Sequence, residues 1–439
     1  MSANDVVIVS AFGRGHWIAA ELVGHGVSVS LLDVSDQLGH WSPEDIEGPF
    51  GYFHAANLTL SQKARLDEED YAELVDEGFV LWLKSGPIDM RGPHSTYLLK
   101  KAGIPTEQID YIGGYDGMTK RRAELLKKWR SEPFASTWFV NLAHSLASHH
   151  SSRNWDALKF GRPLPLTSSY AVRRVSRRGF EKSLQWVEAL GVKVQAKAKL
   201  RQVQIEGGGV AALRLDGAAA DGHSLDGGIL RGEQFIWCLT SSETKKMKLE
   251  IFRELFPHGE LEPEWFWARY RVSLSNSTVT QSLPLKFLII DEIGLPWSHA
   301  NLIWLQRTTA PEIFDGWVRM PAVHRFQKAY LEAMGREIVN ALSVRLPDVD
   351  VRIAEPPQEF IYEPNEIGPA LYQLYDPQML EKFRRRRLRN LLYDGPEIWS
   401  ALDWSARMDS QKQIVESIRE WQGERQMALA KQRARGTTP

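Results

Sequence analysis

At 439 residues the chain is longer than one ordinary hydrophobic core organises, so two intimately connected domains are expected. Lysine and arginine (54) nearly balance aspartate and glutamate (55), and the formal charge of −1 gives no global field to draw in nucleic acid or an anionic membrane. The single cysteine, Cys238, excludes an internal disulfide and a cysteine-built metal site and fits a reducing compartment.

No apolar run approaches the roughly 20 residues that span a bilayer. The short run Val6–Val9 follows an acid and lacks a signal-peptide profile, so a cytoplasmic protein is expected. From the N-terminus the pattern reads strand Val6–Ser10, tight turn, helix about His16–Val23, a turn at Gly26, strand Val27–Leu32, then Asp33. Such short connections in a β-α-β unit mark a parallel sheet. From Pro43 to about Arg162 the sequence turns helical and irregular, with helix-like stretches at Glu68–Val75, Arg121–Lys128 and Phe139–Ala147.

A second regular block opens with a helix over Gly179–Leu190, where Phe180, Leu184, Val187 and Leu190 share one face and Gly191 ends it. Strands follow at Lys193–Ala196, Leu200–Glu206, Val210–Leu215 and Gln234–Leu239, with a glycine turn at Gly207–Gly209. Further strands are expected at Phe287–Ile290, Asn301–Gln306 and near Phe360, with an amphipathic helix near Arg325–Leu346. The chain finishes with Asn390–Tyr393, Gly395-Pro396 and a helical pattern from about Asp403 to Arg433, whose last dozen residues are polar and expected to fray.

The strongest chemical constellation is Ser10-Ala11-Phe12-Gly13-Arg14-Gly15, followed by Gly26 and Asp33. A dinucleotide loop needs a tight turn after the first strand, backbone N–H groups facing a pyrophosphate, and a glycine where helix and strand touch. It also needs an acid at the end of the second strand to accept from ribose hydroxyls. Gly15 takes the third-glycine position and Asp33 the ribose position. Past the loop the chain continues Asp33-Val34-Ser35-Asp36-Gln37-Leu38-Gly39-His40-Trp41, a second segment with its own glycine.

With the middle block and the closing Leu391-Leu392-Tyr393-Asp394-Gly395-Pro396-Glu397, these features resemble the FAD oxidoreductases that include amine oxidases, protoporphyrinogen oxidase and phytoene desaturases. The resemblance covers about half the chain, with its blocks in the family's order. It implies FAD as cofactor, with contacts from Ser10, Phe12, Gly13, Arg14, Gly15, Asp33, Gly39, His40 and Trp41. It also implies backbone contacts from Leu200 to the adenine, and a turn at Gly395, Pro396 and Glu397 leading a helix N-terminus toward the flavin. Tyr362, Tyr372 and Tyr375 fall where the family builds its substrate cage.

The departures are specific. Ser10 and Phe12 stand where the family has its first two glycines, and His40 and Trp41 replace the Gly-Arg of the second segment. A phenylalanine Cβ and ring crowd a position that lets phosphate approach bare backbone. Gly13 relieves the crowding if the turn shifts by one residue, and Arg14 then offers charge to a phosphate. Arg177 and Arg178 are further phosphate candidates. The other reading is a β-α-β unit kept as scaffold that holds no flavin.

The remaining candidates read more plainly. His144, His149 and His150 are badly spaced for one helical face and are read as surface or pocket residues, with no metal site expected. His94 reads as a loop residue or a substrate contact. Lys286 is the one lysine placeable beside a flavin, and a solvent-facing strand end is the favoured alternative. Arg384–Arg387 with Arg389 read as a solvated helix face, since no aromatics interleave them.

The expected fold is α/β. A discontinuous Rossmann-type FAD/NAD(P)-binding domain is built from 1–85, 161–250 and 386–420, and a mixed α/β substrate domain from 86–160 and 251–385. A terminal helix and tail take up 421–439. The expected function is FAD-dependent oxidation of a small organic substrate, amine-oxidase or desaturase-like. The alternative is a degenerate flavoprotein fold that binds or scaffolds without redox turnover. A nicotinamide-dependent dehydrogenase leaves the C-terminal Gly395-Pro396-Glu397 turn unexplained.

Overall fold

The computed structural model describes residues 4–11, 13–38, 52–54, 72–74, 80–90, 92–112, 121–148, 172–175, 184–196, 199–216, 228–256, 265–275, 277–295, 297, 299–354, 367–371, 388–395 and 404–434. The N-terminal unit is strand β1 (Asn4–Ser10), helix α1 (His16–Gly24), strand β2 (Val29–Asp33) and the short helix α2 (Ser35–Leu38). β1 runs Val-Val-Ile-Val without a polar break because it is covered on both faces, as the centre of a parallel sheet must be.

That sheet has five strands in the order Leu391–Tyr393, Gly232–Trp237, β1, β2, Lys193–Gln195, and every pairing is parallel. Segments far apart in sequence therefore meet on one sheet, the mark of a doubly wound Rossmann-type unit. On one face Ile18, Ala19 and Leu22 of α1 pack with Ile8, Leu31, Ile236 and Ile418, the last from the closing helix Trp404–Ala434. The other face packs against the antiparallel hairpin Lys199–Glu206 and Gly209–Asp216.

A second large sheet has eight strands, mostly antiparallel, and a smaller one joins Tyr52–His54, Val172–Val175 and Ala72–Leu74. The order of the large sheet is Val351–Ile353, Trp265–Leu274, Ile313–Pro321, His299–Arg307, Lys286–Ile290, Val80–Leu83, Gly86–Asp89, with Ile367–Leu371 also paired to Trp265–Leu274. Ala268, Tyr270 and Val272 pack on Leu331, Met334, Ile338 and Leu342 of the helix Lys328–Arg345. The opposite face carries Trp267, Leu288, Trp304 and Trp317 against Trp138, Phe139 and Leu142 of the helix Phe134–Ser148.

Several expectations change. Glu68–Val75 is not helical where described: Ala72–Leu74 is a strand, because it pairs antiparallel with Val172–Val175. The hairpin Val80–Leu83 and Gly86–Asp89 runs through residue 85, and its first strand pairs parallel with Lys286–Ile290 of the eight-stranded sheet. The helix Trp404–Ala434 runs unbroken through residue 420. Lys286 does not face solvent. It is 8 % exposed, in a cross-strand row with Gln306, Asp315 and Arg271. The strand expected near Phe360 lies outside the described residues.

Candidate nucleotide site

The loop between β1 and α1 is built around two left-handed glycines, Gly13 at φ 76° and Gly15 at φ 84°. A β-carbon on Gly15 would stand 2.9 Å from Ile8 Cγ2 and 3.1 Å from Cys238 Sγ, so glycine is required both for its backbone angle and for the close passage of helix over sheet. The left-handed residue at 13 puts a second glycine-dependent bend one position beyond Phe12. Ser10 is buried, and its hydroxyl donates to the Arg14 carbonyl while the Arg14 N–H donates to the Ala11 carbonyl at 3.1 Å. The serine thus braces the turn from within.

Asp33 ends β2 directly across from Ser10 and is 4 % exposed. Its Oδ1 accepts from the Ser35 N–H at 3.0 Å, and Oδ2 lies 3.6 Å from His16 Nε2 at the first position of α1. Burial pushes its pKa up, but the contacts from His16 and Ser35 outweigh that and hold the carboxyl below its ordinary value. Arg14 does not reach into open space. One of its terminal nitrogens sits 2.6 and 2.5 Å from the two carboxylate oxygens of Glu243. Glu243 is itself held by a capping box, accepting from the Thr240 N–H at 2.8 Å while its own N–H donates to the Thr240 hydroxyl at 3.1 Å.

Leu200 is the second residue of the strand Lys199–Glu206 and lies beside α2. Its N–H donates to Gln37 Oε1 at 2.8 Å, and its carbonyl accepts from Gln37 Nε2 at 2.8 Å. At the far end of the sheet Gly395 is buried, and the preceding Asp394, 0 % exposed, turns inward to accept from the Ser410 hydroxyl at 2.8 Å and Gln411 Nε2 at 3.3 Å.

Ser10, Gly13, Arg14, Gly15 and Asp33 therefore converge at the ends of β1 and β2, and Leu200 joins them through Gln37. Phe12, Gly39, His40, Trp41, Pro396, Glu397, Tyr362, Tyr372, Tyr375, Arg177, Arg178, His149, His150 and Arg384–Arg387 lie outside the described residues, as does the side chain of His144. His94 is exposed at the N-terminus of the helix Ser95–Lys101. His16, Gln37 and Glu243 join the site without having been expected from sequence. For Glu243 a signal was available, because Thr240-Ser-Ser-Glu243 is a capping-box pattern. Among the described residues no group of three or more His, Cys, Asp or Glu is placed to hold a metal ion, and no helix is long and apolar enough to cross a membrane.

A five-stranded parallel sheet, a glycine loop opening a helix, and an acid ending the next strand define a Rossmann-type dinucleotide-binding fold, with a second α/β domain beside it. The same fold occurs in a redesigned putrescine oxidase triple mutant, at 13 % identity and TM-score 0.54 over 95 % of this chain and 98 % of that one. Wild-type putrescine oxidase bound to putrescine matches at 12 % identity and TM-score 0.53 over 95 % and 99 %. An oxidoreductase from Methanosarcina mazei matches at 12 % and 0.53 over 94 % and 100 %. No protein-family model matches the chain, and no curated protein matches it in sequence.

Proposed function

We propose that the chain is an FAD-dependent oxidoreductase acting on a small organic substrate, in the manner of an amine oxidase or desaturase. The observation that carries this reading is the joint placement of Gly15 and Asp33. A helix start is pressed onto the central strand where only glycine fits, and a buried carboxylate stands at the end of the neighbouring strand. Full-length likeness in fold to putrescine oxidase supports the same reading.

The residues present fit the nucleotide part of such a cofactor. The backbone around Gly13–Gly15, at the positive end of α1, suits a pyrophosphate, and Asp33 suits a ribose hydroxyl. When bound, the flavin supplies the hydride acceptor. The protein's own part is to hold and orient. Ser10 stiffens the loop, Ser35 and His16 fix the Asp33 carboxylate, and Glu243 keeps the Arg14 guanidinium beside the loop.

Titration of the purified protein with FAD, followed by flavin fluorescence, tests the assignment. Saturable quenching is expected in the native protein. Asp33→Ala should weaken it by roughly tenfold or more, the worth of a charge-assisted hydrogen bond of about 1.5–3 kcal/mol. Unchanged binding in that variant removes Asp33 from the site.

A second reading, a flavoprotein fold without redox turnover, is favoured by the contacts that Arg14 and Leu200 already make with Glu243 and Gln37. It expects a colourless protein that takes up no added FAD.

A further inference from the structure

Gln37 holds Leu200 through a paired contact: the carboxamide nitrogen donates to the backbone carbonyl and the carboxamide oxygen accepts from the backbone N–H, both at 2.8 Å. A primary carboxamide presents a donor and an acceptor side by side on one planar edge. Adenine presents the same pair, its exocyclic amino group next to a ring nitrogen. The side chain and the base thus compete for one stretch of main chain.

Position strengthens the comparison. Gln37 lies four residues beyond Asp33, on the short helix whose first N–H is bonded to the Asp33 carboxylate. A nucleoside whose ribose rests on Asp33 would carry its base past that acid, toward α2 and the neighbouring strand start. Leu200 offers its backbone N–H and carbonyl there. Gln37 is only half-buried, so its amide can turn outward without opening the core.

We infer that Gln37 is a built-in occupant of the adenine subsite, and that an adenine nucleotide binds only by displacing it. This rests on the nucleotide reading of the Asp33 site proposed above. A site closed for most of the time binds more weakly in proportion to its open fraction. Removing the clasp should therefore raise affinity, the reverse of the usual effect of losing polar contacts.

The protein supplies its own control. Asn390 makes the same kind of clasp on Val210, accepting from its N–H and donating to its carbonyl, both at 2.8 Å. That clasp lies on the same hairpin but at its turn, next to Gly209, whose added β-carbon would meet Asn390 Oδ1 at 2.8 Å. Breaking it loosens the hairpin, together with the contact of Asn390 Nδ2 to the Glu233 carbonyl at 3.2 Å, and leaves the contacts of Asp33 and Gln37 in place.

The experiment is calorimetric titration of the purified full chain with ADP, alongside Gln37→Ala, Gln37→Met (which keeps the length of the side chain), Asn390→Ala and Asp33→Ala. Both Gln37 variants should bind ADP about tenfold more tightly than the native chain, the gain expected when a clasp closed about nine-tenths of the time is removed. Asn390→Ala should bind like the native protein.

Equal affinity in the native and Gln37 variants, lost in Asp33→Ala, overturns the gate and leaves the nucleotide reading standing. An equal gain in Asn390→Ala also overturns the gate, since it traces the effect to a loosened hairpin. No ADP binding by any of the proteins overturns the gate and the nucleotide reading together.

Discussion

Gly15 shows how one missing β-carbon can hold an architecture together. Its left-handed backbone starts α1, and the bare α-carbon lets the helix pass within contact of Ile8 and Cys238. Gly15→Ala meets both constraints at once, a strained φ and two heavy atoms closer than a β-carbon tolerates. The expected loss is about 2–4 kcal/mol, measured by denaturant unfolding. The Asp33 carboxylate makes a different, pH-dependent contribution. Its pKa is held below the ordinary 3.8, so the stability it adds is complete above that value and fades as the pH falls through the folded pKa. Asp33→Asn should therefore be less stable than the native chain near neutrality, and the gap should narrow below about pH 3.8. Unfolding curves collected between about pH 2.5 and 7 test this, and a gap that stays constant across the range would show that the charge contributes nothing.

Elements were legible where one physical signal dominated. β1, α1 and β2 stood out because an apolar strand, a glycine turn and a second apolar strand ending in an acid leave few other arrangements. The hairpin at 199–216 was equally clear from its glycine turn. Trp265–Leu274 and Ile313–Pro321, the longest partners in the second sheet, were missed for a reason visible in their side chains. Along the first, Trp267 and Arg269 alternate with Ala268 and Tyr270; along the second, Trp317 and Arg319 alternate with Val318. Arginine on a strand normally marks the wet face. Here Arg319 is 1 % exposed and lies over the Trp267 ring, its Cζ 4.8 Å from the centroid, while Arg269 lies 5.9 Å from that of Trp317. The aromatic rings cover the cations, which disguises a two-sided buried strand as a half-polar one. Glu68–Val75 failed in the opposite sense. Its charged residues suit a helix, but Ala72–Leu74 takes its conformation from pairing with a strand about a hundred residues away, a contact no local window contains.

At the scale of the whole molecule, the parallel sheet depends on its last strand, only three residues long, being seated by Asp394 and the helix Trp404–Ala434. Leu391–Tyr393 pairs with Phe235–Trp237, and the next residue, Asp394, is fully buried against Ser410 and Gln411 of the closing helix. Farther along, Arg425 reaches back to Asp5 at 2.7 Å and Glu233 at 2.5 Å, tying the same helix to the starts of β1 and Gly232–Trp237. These ties differ in kind. The Arg425 bridges are part-exposed and screened by solvent, so each is worth well under about 1 kcal/mol. The Asp394 contacts are dry, and removing the carboxylate strands two buried polar groups at a cost of about 2–3 kcal/mol. Truncation after residue 424 should therefore leave the melting temperature nearly unchanged, whereas Asp394→Ala should lower it clearly and weaken any nucleotide bound at the other end of the sheet. If the two changes destabilise the protein equally, the closing helix is anchored along its length by surface charge, and the buried Asp394 carboxylate is not what seats the final strand.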